Sequence, residues 1–190
     1  MRLQWIGPST AHLQSRPTKP EAALSIGAAV RADFVRINAY IAAVTDRSVI
    51  EGRTHETLQL CEQLGVDSRI LADIDVRHAS LLGTDRSVGD RLADLVDRGL
   101  ADGAIVSGTT TGEAVEADTL ERAVAARADH GPPTPIFVGS GVTVNFAARL
   151  LTATDGTIVG TSLKESGRTR NPVDVDRVER LTNTVVEDTD

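Results

Sequence analysis

The chain has 190 residues, of which 41% are hydrophobic and 25% charged, which suits one folded domain or two small ones. No apolar run reaches the ~18 residues of a membrane-spanning helix, and residues 1–20 lack the apolar stretch of a secretory signal peptide. The net charge of −7 argues against a general nucleic-acid binder, and the single cysteine, Cys61, argues against a disulfide within the chain or a cysteine-based zinc site.

The basic residues are mostly arginine, and the acidic residues are mostly aspartate. The chain contains 18 Arg against 2 Lys, and 17 Asp against 10 Glu. Because dense surface carboxylates keep proteins soluble in a high-salt cytoplasm, this balance predicts an acidic, halophilic, cytoplasmic protein. A GC-rich genome would also favour arginine over lysine, and that alternative stays open.

Short β-branched runs alternate with segments of helical length from about residue 30 onward. These runs are nearly continuous in apolar residues, which is typical of strands buried on both faces of a parallel sheet. The predicted strands cover residues 33–40, 70–76, 103–107, 135–139 and 157–160, with residues 3–6 as a weak sixth.

The segments between these strands carry helical signals. Apolar spacing predicts helices over residues 57–64 and 87–98, and Gly99 is placed to end the second. Asp118 and Glu121 have the spacing of a capping box ahead of a helix at residues 123–128. A last helix is expected after Pro172. Repeated strand–helix units of this kind predict an α/β protein with a parallel sheet.

Small or polar residues follow every predicted strand, which favours a (β/α)8 TIM barrel. An open doubly wound sheet would concentrate such residues near one switch point. A TIM barrel normally takes ~250 residues and eight strands, so we expect a barrel that is incomplete at the N-terminus, with strands 1–2 or 1–3 absent. The predicted division is a divergent segment at residues 1–20, a partial barrel at 21–184 and an acidic tail at 185–190.

Two glycine-rich turns provide the strongest site signal. They are Val-Gly-Ser-Gly-Val-Thr at residues 138–143 and Val-Gly-Thr-Ser at residues 159–162. Backbone N–H groups in such turns bind anions, and loops after strands seven and eight of TIM barrels commonly bind phosphate. The alternative is a pair of tight turns that need positive φ and hold no ligand. The residues predicted to bind phosphate are Gly139, Ser140, Gly141, Gly160 and Thr161.

Three further residues are candidates for substrate contacts. Lys164, one of only two lysines, could place a point charge on a phosphate or could be a solvated loop lysine. Asn38 ends the first clear strand, and Thr109 lies in a hydroxyl-rich loop after the third. We expect Asn38 and Thr109 to position the substrate.

An acidic cluster ends the second clear strand. Strand alternation predicts that Asp73 and Asp75 share one face, with His78 at the rim, although a one-residue shift in register would exchange the two aspartates. A carboxylate beside an imidazole can perform general acid–base chemistry. Asp73, Asp75 and His78 are therefore the candidate catalytic residues. A Mg²⁺ ion held by carboxylates and a substrate phosphate is left open, whereas a histidine-rich metal site is not expected.

Arg36 lies two residues before Asn38 and shares its face of the strand. A buried arginine is costly unless paired, and Asp73 or Asp75 on the neighbouring strand is the expected partner. The structural alternative for the acidic cluster is therefore a buried Asp–Arg pair, with His78 in a supporting role.

Five motifs follow one another along the chain. They are FVRIN at 34–38, ADIDVRHA at 72–79, ADGAIVSGTTTG at 101–112, VGSGVTVN at 138–145 and DGTIVGTSLK at 155–164, followed by NPVD at 171–174 and Arg177. In this order the motifs resemble the BtpA/SgcQ family, named for a factor needed to accumulate photosystem I. The resemblance runs from about Ala22 to about Leu181 and implies a (β/α)8 TIM barrel of the phosphate-binding type. Family members are longer at the N-terminus, and residues 1–20 depart from the family pattern.

The resemblance leaves the reaction open. Some relatives look like sugar-phosphate or nucleoside-processing enzymes, which agrees with the glycine turns and the Asp/His rim. We therefore expect a protein that binds or transforms a small phosphorylated molecule, with no nucleic-acid partner and with a homo-oligomer left open. The alternatives are a non-enzymatic assembly or stability factor, in which His78→Ala would be silent, and an inactive truncated remnant.

Overall fold

The computed structural model describes residues 12–14, 19–41, 44–45, 49–65, 67–75, 80–83, 86–108, 117–127 and 134–187. Six parallel strands form the main sheet, in the order β1–β2–β5–β7–β8–β9. This architecture is that of a (β/α)8 barrel, to which the described residues contribute six strands. The strands are β1 (His12–Gln14), β2 (Phe34–Ile37), β5 (Arg69–Asp73), β7 (Gly103–Val106), β8 (Ile136–Val138) and β9 (Gly156–Thr157).

The five clear strands of the sequence are confirmed, although each is shorter than its apolar run. The sixth parallel strand is β1, which pairs with β2. The weak strand predicted at residues 3–6 lies outside the described residues.

Helices cover one face of this sheet. An apolar cluster joins them to strand residues such as Val35, Ala104 and Val138, all of which are fully buried. The last helix continues to Glu187, past the boundary predicted at residue 184. The helices are α1 (Pro20–Val30), α2 (Thr54–Leu64), α3 (Val88–Ala93) with a π-helical turn (Asp94–Arg98), α4 (Ala117–Arg127), α5 (Val144–Ala153), two 3-10 turns (Thr161–Leu163 and Glu165–Gly167) and α6 (Val175–Glu187).

The opposite face of the sheet forms the barrel interior. Leu71, Ile105 and Phe137, on three adjacent strands, pack there as a separate apolar cluster with Phe34 and Ile158 at its margin. Because side chains on a strand alternate between faces, residues two positions further along each strand point into the same interior. The interior therefore has an apolar layer, followed by a second layer toward the carboxyl ends of the strands.

A small antiparallel sheet, in the order β4–β3–β6, adds to this framework. Its strands are β3 (Val44–Thr45), β4 (Val49–Ile50) and β6 (Ser80–Leu81). The sequence does not predict it, because two-residue strands carry no measurable periodicity.

Helix capping differs from the prediction at one position. Asp118 lies within the first turn of α4 and forms an ion pair with Arg122, so it is not the N-cap residue. The capping box is found instead at α3, where the Ser87 hydroxyl accepts a hydrogen bond from the backbone N–H of Asp90 at 3.0 Å. The predicted end at Gly99 is confirmed. Within the described ranges, no helix has the length and apolar character needed to cross a bilayer.

Two Asp-Gly pairs brace the amino ends of the strands. The carboxylate of Asp102 accepts a hydrogen bond from the backbone N–H of Ile70 at 2.8 Å, and that of Asp155 accepts one from Ile136 at 2.9 Å. Asp155 also pairs with Arg127 at 2.6 Å. Each aspartate precedes the glycine that begins the next strand, so its carboxylate links neighbouring strands at the face opposite the site, where side chains of TIM barrels serve stability.

Asp155→Ala is expected to lower the free energy of unfolding by about 1–2 kcal/mol, because it leaves the Ile136 N–H without its acceptor and breaks the Arg127 pair. Urea denaturation followed by circular dichroism measures this loss. Asp118→Ala is the matched control: its pair with Arg122 is exposed, and we expect a loss of about 0.5 kcal/mol or less. Equal losses in the two variants would contradict the bracing role of Asp155.

Candidate functional site

The second layer of the barrel interior is polar. Two residues beyond the apolar layer, the same strands and their ends place Arg36, Asp73, Ser107 and Gly139 in contact. The period of two that buries Leu71 and Ile105 thus places polar side chains at the carboxyl edge of the sheet. In barrels this edge holds the active site.

Arg36 and Asp73 form a buried ion pair with two contacts. The Arg36 Nε donates to Asp73 Oδ2 at 2.9 Å, and Nη2 donates to Asp73 Oδ1 at 2.6 Å. Their side chains are only 4% and 1% exposed. The guanidinium also donates to Ser107 Oγ at 3.0 Å and to the carbonyl of Gly139 at 3.3 Å. The predicted pairing of Arg36 with an aspartate on the adjacent strand is therefore confirmed, and the partner is Asp73.

Gly139 has to be a glycine because the backbone passes close to this ion pair. A Cβ atom at position 139 would lie 2.4 Å from Ile105 Cγ2, 2.7 Å from Ser107 Oγ and 2.8 Å from Arg36 Nη2. The missing side chain lets the first glycine turn approach the polar layer directly.

The rest of the first turn leads into α5. Gly141 has a positive φ of 67°, as a tight turn of this kind requires. The Ser140 hydroxyl oxygen accepts a hydrogen bond from the backbone N–H of Gly108 at 2.7 Å, so its own O–H can donate elsewhere. Thr143 is the N-cap residue of α5, so the positive end of the helix dipole lies at the end of the turn.

The two predicted glycine turns meet in one cavity of about 620 Å³. They follow β8 and β9, which are neighbours in the sheet, and a hydrogen bond from Ser162 Oγ to the carbonyl of Val142 joins them at 2.6 Å. Among the described residues, the lining contains two arginines and no carboxylate. The lining residues are Arg36, Asn38, Gly139, Ser140, Gly141, Val142, Thr143, Ile158, Gly160, Thr161, Ser162, Gly167 and Arg177.

The cavity thus brings together six of the sequence-predicted site residues, and it adds Arg177. The predicted residues are Asn38, Gly139, Ser140, Gly141, Gly160 and Thr161. Arg177 lies on α6, more than a dozen residues beyond the last strand. The sequence analysis placed it only among the family motifs, because α6 reaches the cavity through tertiary packing rather than through strand order.

The expectation that Asp75 shares a face with Asp73 is wrong. Strand β5 ends at Asp73 and the backbone bends at the next two residues, so alternation no longer applies. Asp75 pairs instead with Arg91 of α3 at 3.2 Å. Burial raises the pKa of Asp75 above its usual range, and the nearby Arg91 charge opposes this rise. The two aspartates therefore belong to different ion pairs.

Of the three remaining candidate residues, the structure describes one, Lys164. Lys164 is half-buried, and its backbone N–H donates to the carbonyl of Thr161 at 3.1 Å. Among described residues, however, the cavity lining does not include it. His78 and Thr109 lie outside the described residues, so their roles stay predictions. No group of three or more His, Cys, Asp or Glu side chains in the described ranges could hold a metal ion.

Comparison of the sequence with known families gives one match across most of the chain. The BtpA family profile matches residues 17–187. An uncharacterized protein of Thermococcus kodakarensis is 40% identical over 161 residues, which cover 84% of this chain and 59% of that protein. The photosystem I biogenesis protein BtpA of Synechocystis is 39% identical over 166 residues, which cover 87% of this chain and 56% of that protein. The chain therefore spans less than two thirds of these relatives.

Solved structures of similar fold are barrel enzymes of low sequence identity. N-(5'-phosphoribosyl)anthranilate isomerase from Pyrococcus furiosus aligns with a TM-score of 0.58 at 13% identity, over 94% of this chain and 74% of that one. The 3-hexulose-6-phosphate synthase from Salmonella typhimurium aligns with a TM-score of 0.53 at 12% identity, over 93% and 73% of the two chains. These likenesses establish the fold.

Proposed function

The chain belongs to the BtpA family, and we propose that it binds a small phosphorylated molecule, a sugar phosphate or a nucleoside-type compound, in the cavity between its two glycine turns. The phosphate lies against Gly139–Gly141 and Gly160–Thr161. The remainder of the ligand extends toward Asn38 and the polar layer of the barrel.

The observation that carries this proposal is the meeting of both turns in one cavity with two arginines. The N–H of Gly139 donates to the carbonyl of Val106 at 2.8 Å. The turns contribute the backbone N–H groups of residues 140–141 and 160–161 and the hydroxyls of Ser140 and Thr161, which are donors suited to phosphate oxygens. Each of the two arginines is paired with an aspartate behind the lining, Arg36 with Asp73 and Arg177 with Asp174, and no described carboxylate lines the cavity itself. The names of the structural neighbours also refer to phosphorylated sugars.

The candidate catalytic residues take different roles in this proposal. Asp73 anchors Arg36, because both of its oxygens already accept hydrogen bonds from Arg36, and Ser107 donates a further one at 3.1 Å. Asp75 and His78 stay the candidates for proton transfer. Asp75 pairs with Arg91 at 3.2 Å and is not among the described residues that line the cavity, and His78 lies outside the described residues.

Gly160 offers the sharpest test of the binding site. Gly160 lines the cavity, and a Cβ atom at this position would meet no atom within 4 Å, so a side chain there is accommodated at the cavity without disturbing the core. Gly160→Asp is expected to weaken binding of inorganic phosphate and ribose 5-phosphate by about tenfold or more, since it places a carboxylate beside the anion. Gly160→Asn has nearly the same shape without the charge and should keep most of the affinity.

Isothermal titration calorimetry of the 190-residue chain, in buffer with and without molar KCl, measures these affinities. Melting temperature in the presence of each ligand gives an independent readout, because a ligand that binds the folded state raises it. Equal affinities in the Asp and Asn variants, or no binding of either ligand by the wild-type chain, would refute the proposal.

A second candidate function is a non-enzymatic role in assembly. Its support is the name of the Synechocystis relative, a photosystem I biogenesis protein at 39% identity. It is distinguished from the first by His78→Ala, which leaves an assembly factor working in cells and impairs an enzyme that uses this histidine.

A further inference from the structure

Arg177 differs from Arg36 in how its guanidinium is used. Arg36 is almost fully buried, and Asp73, Ser107 and Gly139 occupy its donors. Arg177 is 34% exposed and lines the same cavity. Its Nε donates to Asp174 Oδ2 at 3.2 Å, and its Nη1 donates to the carbonyl of Ser162 at 3.0 Å. Among the described residues, these contacts leave the Nη2 amino group for a ligand.

The contacts of Arg177 also fix its position. Its backbone N–H donates to Asp174 Oδ1 at 3.2 Å, so Asp174 holds both the main chain and the side chain at the first turn of α6. A guanidinium held in this way loses less conformational freedom when it binds an anion than a free side chain would. The side chain is therefore organised before any ligand arrives.

Arg177 is connected to both glycine turns through one residue. Its Nη1 contacts the Ser162 carbonyl in the 3-10 turn that follows Gly160, and Ser162 Oγ donates to the carbonyl of Val142 in the first turn. The cation and the two sets of backbone N–H groups thus form one hydrogen-bonded unit around the cavity.

We infer that Arg177 binds the phosphate directly and makes the cavity selective for a dianionic phosphate monoester over a monoanionic diester. This inference rests on the proposed function and names the substrate class within it. Backbone N–H groups are neutral donors and bind either anion. Arg177 adds the N–H donors of its Nη2 group and a positive charge, which it shares with Asp174. Charge-assisted hydrogen bonds of this kind favour the group with two negative charges and three terminal oxygens.

The test compares methyl phosphate with dimethyl phosphate at pH about 7.5, where the monoester is a dianion because its second pKa is about 6. Calorimetry on the wild-type chain is expected to give about tenfold or greater preference for methyl phosphate. Arg177→Gln should lower the affinity for methyl phosphate by about tenfold and remove the preference. Arg180→Gln, which removes an exposed arginine of the same helix, should change neither by more than about twofold.

Arg177→Lys keeps the charge but loses the planar fork, so it separates a geometric role from a purely electrostatic one. We expect it to lose about threefold or more in affinity for methyl phosphate, and it provides a measurement if the glutamine variant fails to fold. If both Arg177 variants keep the affinity and the preference of the wild-type chain while Gly160→Asp binds phosphate more weakly, the role of Arg177 is overturned and the proposed function stands. Absence of phosphate binding by the wild-type chain would overturn the proposed function as well.

Discussion

Arg36→Met is expected to lower the free energy of unfolding by about 3–5 kcal/mol, because it removes both charge-assisted hydrogen bonds that Arg36 donates to the buried carboxylate of Asp73. The Asp73 side chain is only 1% exposed, so water does not replace the lost partner. Folded domains are stable by about 5–15 kcal/mol in total, and this loss would be a large fraction of that margin. Urea denaturation at neutral pH measures it.

The double variant Arg36→Met with Asp73→Leu is the control for this experiment. It removes both charges and keeps apolar side chains of similar volume, so we expect it to regain about 2 kcal/mol or more over the single variant. A loss below about 1 kcal/mol in Arg36→Met would show that Asp73 finds another partner or reaches solvent, and would contradict the buried ion pair.

Gly139→Ala is expected to destabilise the fold by about 1–3 kcal/mol through overpacking. The added methyl group would lie 2.4 Å from Ile105 Cγ2 and 2.8 Å from Arg36 Nη2. Ile105 is fully buried, so relief requires movement of the first turn or of the ion pair. The same urea titration provides the measurement.

Gly160→Ala is the matched control, because both glycines follow neighbouring strands but a Cβ at position 160 meets nothing within 4 Å. We expect its loss to stay below about 1 kcal/mol. If the two alanine variants unfold at the same urea concentration, the close approach at Gly139 is not the reason for its glycine.

The barrel and much of its site could be predicted from the sequence because both follow from strand periodicity. The apolar runs locate five strands, and the alternation of faces places Arg36 and Asp73 in the same interior. Parallel neighbouring strands bring their carboxyl ends to the same edge of the sheet. Because β8 and β9 are neighbours, the turns at Gly139 and Gly160 lie side by side.

The positions of Asp75 and Arg177 could not be predicted, because they depend on where a strand ends and on how a helix packs. The run Ile70–Val76 continues in apolar residues past the end of β5, so the pattern alone does not show that Asp75 turns away to Arg91. Arg177 depends on the packing of α6 against α5, which no local pattern specifies. Identification of these residues requires the tertiary structure.

The Arg36–Asp73 pair also has a consequence for how the chain folds. Arg36 aligns with Leu71 when β2 pairs with β5. A slip of one residue would turn its charge into the apolar layer beneath the helices, which contains Ile70 and Ala72 of β5, and would turn Val35 and Ile37 away from that layer. Two ions would then be buried apart, and the misaligned sheet would be far less stable than the correct one. We therefore expect the pair to favour the correct register of β2 on β5 over one shifted by a single residue.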